Sequence, residues 1–155
     1  MSASDQTHFS LEAGGTPTAP GRFVHVEDVA GVEFAPGVNF QPVLGEQMLA
    51  NFVTFAPHAE APMHVHVEEQ IVLMIEGELD FTIDGEQRTL RPGDLAVIPP
   101  WVPHGAIARE GGCREIDVFN PPRTTLLDAA RAALPTKPGD PAPSADPAGS
   151  GAGTS

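Results

Sequence analysis

The sequence has a single cysteine and few basic side chains. Cys113 is the only cysteine among 155 residues, so no disulfide can form within the chain. A chain without disulfides suits the reducing cytoplasm, which is the compartment we expect. Eight Lys and Arg stand against 21 Asp and Glu, for a net charge of −13. Because so acidic a chain repels phosphate backbones, we expect no nucleic-acid partner.

Long apolar runs are also missing from the sequence. No stretch approaches the roughly 18 apolar residues that a membrane-spanning helix requires. The N-terminus, MSASDQTHFSLEAGG, has neither the basic nor the apolar region of a secretory signal. We therefore expect no membrane partner. Hydrophobic residues still make up 41% of the chain, which is enough for the core of one domain.

Turn-forming residues divide the chain into short segments. Seventeen Pro and 16 Gly separate short apolar or alternating runs, a pattern typical of an all-β fold. Asp84-Gly85 and Pro92-Gly93 predict tight turns, and Glu76-Gly77 predicts a third. Since no helix lies between the runs, an antiparallel sandwich or barrel is favoured. The predicted strands cover residues 23–26, 47–55, 70–75, 78–83, 87–90, 95–98 and 114–119.

The two ends of the chain differ from its centre. Residues 1–20 are rich in Ser, Thr, Gly and Ala and predict a disordered N-terminal arm. Residues 124–134 predict the one short helix, with Thr125 as its cap. Residues 135–155 contain no large apolar side chain, which predicts a disordered tail. The barrel with its helix is therefore expected to span 21–134.

The segment HVHVEEQ carries the strongest chemical signal. Side chains at i and i+2 of a strand point to one face, so His64 and His66 project together and can share a metal ion. Strand parity favours Gln70 over Glu69 as a third ligand. His104, in IPPWVPHG, is the fourth candidate because the chain returns along the barrel after Pro92-Gly93.

Two motifs together resemble the cupin family over roughly residues 40 to 120. PMHVHVEEQIVLMIEGEL resembles the first cupin motif, and RPGDLAVIPPWVPHG resembles the second. The resemblance implies a cupin double-stranded β-helix, or jelly-roll barrel, with a short C-terminal helix and disordered tails. It also implies a homodimer and one divalent metal ion, held by His64, His66, Gln70 and His104.

The Glu69-Gln70 pair resembles the cupin subgroup that coordinates metal through Gln. Three imidazoles and an amide are neutral, so the ion would keep its full charge and act as a strong Lewis acid. Such a set differs from the two-His-one-carboxylate sites of iron oxygenases. Among Zn, Mn, Ni and Fe, this favours the first three and non-redox chemistry.

The segment REIDVFNPPR resembles the pectin-degradation cupins, which open the ring of unsaturated uronic acids. That resemblance implies that Asp117 is a general acid or base, that Arg123 binds a substrate carboxylate, and that Phe119 walls the pocket. The alternatives are a solvent-facing strand residue for Asp117 and a surface charge beside a helix start for Arg123.

The function implied is a metal-dependent isomerase, lyase or cyclase acting without net redox on a small oxygen-rich carbonyl compound. An unsaturated uronate fits the first resemblance. An aromatic polyketide fits a second one, to the single-domain cupins that cyclise such chains. An Fe(II)-dependent cupin dioxygenase and a non-catalytic metabolite-binding cupin are the alternatives.

Overall fold

Eight antiparallel strands make up most of the described chain. The computed structural model describes residues 9–11 and 14–132. Much of the predicted arm and the whole predicted tail lie outside these residues, so the disorder expected there stays a prediction. The strands are β1 Val32–Ala35, β2 Val38–Leu44, β3 Leu49–Phe55, β4 Glu60–His64, β5 Glu69–Ile83, β6 Glu86–Leu90, β7 Leu95–Ile98 and β8 His104–Asn120.

The two long strands, β5 and β8, belong to two sheets at once. The first part of β5 pairs with the last part of β8, from Glu69↔Asn120 to Gly77↔Cys113, and β3 and β7 flank these parts. The last part of β5 pairs with the first part of β8, from Leu79↔Ala108 to Ile83↔His104, and β4 and β6 flank these parts. The inward faces of both sheets share one apolar core. The predicted jelly-roll barrel is confirmed.

The predicted turn at Glu76-Gly77 is wrong. β5 runs straight through these residues, and Gly77 adopts a φ of +77° at a register shift between β5 and β8. A glycine with positive φ serves a bulge as well as a turn, and here the facing strand decides for the bulge. The turns at Asp84-Gly85 and Pro92-Gly93 are confirmed: Asp84 and Gly85 have φ of 48° and 83° between β5 and β6.

The predicted strand at 23–26 is also wrong. Residues 23–25 are irregular, and a 3-10 turn covers Val26–Asp28. Phe23 is fully exposed, so the apolar run has no sheet to pack against. The first strand that finds a partner is β1, which pairs with β2.

A short helix closes one end of the barrel. A 3-10 turn, Thr124–Leu126, leads into α1, Leu127–Ala132, while the last two residues of the predicted helix lie outside the described ones. Arg123 is the N-cap and makes no side-chain capping bond, so the predicted Thr125 cap is wrong. Leu126 and Ala130 pack with Leu49 and Phe119 in a second core. None of the described helices has the length and apolar character needed to cross a bilayer.

Candidate metal centre

The four candidate ligands come from three strands and one loop. His64 ends β4, His104 begins β8 directly opposite it, and Gln70 lies near the start of β5. The strand predicted from residue 64 to 70 is interrupted, because β4 stops at His64 and β5 starts at Glu69. His66 lies in this break, and its carbonyl accepts a hydrogen bond from the Trp101 N–H (2.9 Å). The bend, rather than strand parity, therefore brings His66 and Gln70 together.

Each of the three imidazoles is oriented by the backbone. Nδ1 of His64, His66 and His104 lies 2.7, 2.9 and 2.8 Å from the carbonyl oxygens of Pro62, Glu68 and Val102. A carbonyl only accepts, so each Nδ1 carries the proton. In the neutral rings each Nε2 is then left with a lone pair.

Three of these side chains converge on one point. The Nε2 atoms of His66 and His104 are 3.2 Å apart, and Oε1 of Gln70 is 3.0 and 3.1 Å from them. All three atoms are acceptors, so no proton joins them and they repel one another unless a cation lies between them. Neighbouring ligands of a six-coordinate ion with bonds of about 2.1 Å are about 3.0 Å apart, which matches this spacing.

His64 completes the cluster. Its ring centroid is 4.3 Å from that of His104 and 5.5 Å from that of His66. One nitrogen from each of the three histidines fits within a 4.8 Å span. The three histidines therefore form a cluster that can hold a metal ion, with the Gln70 oxygen beside it.

The amide of Gln70 is fixed by a second bond on its other side. Its Nε2 donates to Oδ1 of Asp117 at 2.7 Å, which turns Oε1 towards the histidines. Gln70 is buried, whereas the neighbouring Glu69 is exposed and faces away. The structure thus brings Gln70, and not Glu69, to the centre.

Two carboxyl groups lie inside the barrel on β8. Asp117 and Glu115 are 5% and 3% exposed, which excludes a solvent-facing Asp117. Burial raises the pKa of Asp117 to about 7, although the Gln70 bond and the charge of Arg123 act against this rise. Burial, together with the negative charge of Asp117, raises the pKa of Glu115. Glu115 was missed from the sequence, yet it lies two residues before Asp117 and so shares its face.

Further buried polar groups surround these residues. Asn51 on β3 faces Asp117 in register. Within the part of the chain that the structure describes, neither polar atom of the Asn51 side chain has a partner, and Oε2 of Glu115 has none either. The Glu68 carboxylate lies 3.5 Å from Nδ1 of His66. Nothing in the local sequence around Asn51 predicted that it lies opposite Asp117.

Arg123 lines the cavity, whereas Phe119, which was predicted to form its wall, does not. The Arg123 guanidinium lines the cavity and rests over the Phe119 ring at 5.4 Å, and burial lowers the pKa of Arg123. Phe119 is packed in the second core, with its ring 5.7 Å from that of His66. Phe119 therefore supports His66 and Arg123 from behind and is not part of the wall.

A single cavity of about 440 Å³ joins these groups. Its polar wall consists of His64, Gln70, His104, Glu115, Asp117 and Arg123. The rest of the wall is apolar and includes four phenylalanines, Phe34, Phe40, Phe55 and Phe81. The volume lies within the usual range for small-molecule sites, about 300–1,000 Å³.

Comparisons with known proteins agree with this architecture. A cupin-domain family model matches residues 51–119. The pectin degradation protein KdgF of Dickeya dadantii (strain 3937) is 34% identical over 76 residues, 48% of this chain and 69% of that protein. The solved structure of KdgF from Halomonas sp. is 31% identical, covers 70% of this chain and 100% of that one, and has a TM-score of 0.66.

Two other similar proteins have different names. The H2HPP isomerase of Bacillus subtilis is 34% identical over 126 residues, 78% of this chain but only 52% of that protein. The polyketide cyclase RemF from Streptomyces resistomycificus has a TM-score of 0.58 over 65% of this chain and 80% of that one. At 22% identity, RemF shares the fold alone.

Proposed function

Because the chain belongs to the cupin family, we propose that it is a metal-dependent enzyme that moves a proton within a small carbonyl compound, without net oxidation. The observation that carries this proposal is the double role of Gln70. Its oxygen lies 3.0 Å from the His66 nitrogen, and its nitrogen donates to Asp117. An ionisable carboxyl is thereby held one amide away from the metal centre and in the same cavity.

The proposed chemistry divides between the centre and the carboxyl. A divalent ion held by His64, His66, Gln70 and His104 would supply a Lewis acid that polarises a carbonyl oxygen. Asp117 takes the proton from the carbon next to that carbonyl, and the C–H electron pair becomes part of a new double bond. Asp117 then returns the proton to another carbon, so every electron stays in the substrate. Arg123 holds a substrate carboxylate during both transfers.

Other features favour this function over its alternatives. The names of two relatives, an isomerase and a pectin degradation protein, fit non-redox chemistry, whereas a quercetin 2,3-dioxygenase matches only 28% of this chain. A neutral amide stands where oxygenase iron sites have a carboxylate, which speaks against the dioxygenase. Two carboxyls buried beside the cavity are costly to fold, and they serve proton transfer better than passive binding.

The test is isotope exchange with a defined metal. Protein stripped by chelator is reloaded with Mn, Ni, Zn or Fe and mixed in D₂O with unsaturated uronates and ring-bearing 2-oxo acids, and proton NMR follows deuterium uptake and double-bond movement. We expect His66→Ala to lose bound metal by elemental analysis. Asp117→Asn should keep the metal but lose exchange by about 100-fold or more. The exposed His25→Ala is the matched control.

Three results would contradict the proposal. The first is full exchange in Asp117→Asn, and the second is full exchange in metal-free protein. The third is oxygen consumption that accounts for all turnover when Fe(II) is supplied, which would establish the dioxygenase instead.

We also propose that the chain forms a homodimer through the outer face of the sheet that contains β5 and β7. Leu73 and Ile71 on β5 pair in register with Leu95 and Val97 on β7, and all four side chains are exposed. A row of apolar residues across neighbouring strands favours burial against a second surface. Light scattering should give twice the chain mass, and Leu73→Glu should give the mass of one chain. A wild-type monomer at micromolar concentration would contradict this.

A further inference from the structure

The cavity wall next to the metal centre is aromatic. The Phe81 ring lies 6.3 Å from the His104 ring and nearly parallel to it, at 13°. Phe34 and Phe40 stack on each other at 4.8 Å with an angle of 14°. Flat faces of this kind pack well against a flat ring; a sugar can also stack on them through its C–H face, but its hydroxyls then need polar partners around that face.

Away from the metal centre, the two carboxyls and Arg123, the cavity offers few hydrogen-bonding groups. Its described lining contains no Ser, Thr, Asn, Tyr or Lys, and Tyr is absent from the whole sequence. The Gln70 amide and the imidazole Nδ1 atoms are already bonded to Asp117 and to the backbone. A sugar acid would bury several hydroxyls here without partners, and each would weaken binding by roughly tenfold.

Besides Asp117, the proposed base, two further polar groups point to a ligand. Arg123 is the only cation among the described lining residues, and its guanidinium is held against the Phe119 ring. Oε2 of Glu115 is buried and has no partner in the described structure. One carboxylate and one further oxygen on the ligand would satisfy both groups.

We infer that the substrate is a carboxylate built on a flat apolar ring, such as an aromatic 2-oxo acid, and not a hydroxyl-rich uronate. The carboxylate lies against Arg123, the second oxygen lies between Glu115 and the histidines, and the ring packs against Phe34, Phe40 and Phe81. The inference rests on the proposed function only in calling this occupant the substrate.

Binding to the metal-loaded protein tests the inference without turnover. Phenylpyruvate and galacturonate are the two probes, measured by isothermal titration calorimetry at one pH and one metal. We expect phenylpyruvate to bind at least tenfold more tightly. Arg123→Met should weaken both probes by tenfold or more, because both carry a carboxylate, whereas the exposed Arg114→Met should weaken neither.

Substitutions in the aromatic wall distinguish what the ligand's ring contributes to binding affinity from what its carboxylate contributes. Phe34 is 46% exposed on a short edge strand, so it can be replaced without emptying the core. Phe34→Ala should weaken phenylpyruvate five- to tenfold and leave galacturonate unchanged, and Phe34→Leu should weaken phenylpyruvate only two- to threefold. Phe23→Ala, at a fully exposed phenylalanine outside the cavity, is the matched control and should change nothing.

The outcomes distinguish this inference from the proposed function. Galacturonate binding as tightly as phenylpyruvate, no binding of either probe, or an unchanged affinity in Phe34→Ala would each overturn the substrate class. Asp117-dependent exchange of a uronate would then leave the proposed function standing. If phenylpyruvate binds as expected but no ring-bearing 2-oxo acid or uronate exchanges protons, the proposed function fails and the ligand class remains.

Discussion

Gln70→Glu replaces the amide nitrogen that donates to Asp117 with a carboxylate oxygen. In the natural chain the amide nitrogen donates to Oδ1 of Asp117 at 2.7 Å, and both residues are buried. In the variant an oxygen faces an oxygen at that distance. Two carboxylates so close cannot both be ionised, so the metal-free folded protein must keep one proton on the pair.

The size of the effect follows from that proton. In the natural chain Asp117, whose pKa is raised to about 7, already holds a proton below that pH, so only the pH units above 7 add to the variant's loss, at about 1.4 kcal/mol each. Relative to the natural chain, the metal-free variant should therefore lose little unfolding free energy to this proton at pH 6 and about 3 kcal/mol at pH 9. The sign follows because the folded variant binds more protons than its unfolded chain, so stability falls as pH rises.

Urea unfolding followed by circular dichroism, with chelator present, measures this difference. Gln87→Glu makes the same substitution at an exposed position on β6 and should change stability by less than about 0.5 kcal/mol at either pH. Saturating metal should displace the shared proton and restore most of the variant's loss. A loss that does not depend on pH, or one no larger than that of Gln87→Glu, would refute the reasoning.

Two further predictions concern the backbone and a histidine. Gly77→Ala should cost more than about 3 kcal/mol of unfolding free energy, because the new Cβ would collide with the Gly112 carbonyl at a φ of +77°. Gly85→Ala, with a φ of +83° and open space around it, should cost only about 1 kcal/mol; equal losses would contradict the collision. Burial, with nearby positive charge, lowers the pKa of His104 to about 4, so the contribution of His104 to the stability of the metal-free protein should be full above pH 6.5 and fall by up to about 3 kcal/mol towards pH 4. His104→Gln should flatten this slope in urea titrations, and an unchanged slope would mean that other groups cause it.

The convergence of the three histidines and Gln70 could be predicted from residue types and spacing, although part of the reasoning was wrong. Parity along an unbroken strand was the basis for choosing Gln70 over Glu69. In the structure the strand breaks at His66, and the choice depends on the Gln70–Asp117 bond. That bond joins residues 47 positions apart, so no local pattern contains it.

Other features depended on partners that the local sequence does not show. Gly77 has the backbone of a turn residue, and only pairing with β8 makes it a bulge. Strand parity puts Glu115 on the same face as Asp117, but only its burial beside the cavity shows that it belongs to the site. Phe119 is removed from the pocket wall by Leu126 and Ala130, whose positions depend on how the helix packs.

Because β4 is an edge strand, the four residues of the metal centre are not held equally firmly. β4 pairs only with β8 among the described strands, and its register shifts between Ala61 and His64. Gln70 and His104 lie on strands hydrogen-bonded on both sides, and His66 is tied to Glu68 and Trp101. Three of the four residues are thus held from two sides, while His64 is held by one strand ladder and by a ring bond to Pro62 of its own strand. We expect the half-buried His64 to be the residue that moves when an incoming molecule needs room, so the site can adapt while the strands of the barrel keep their positions.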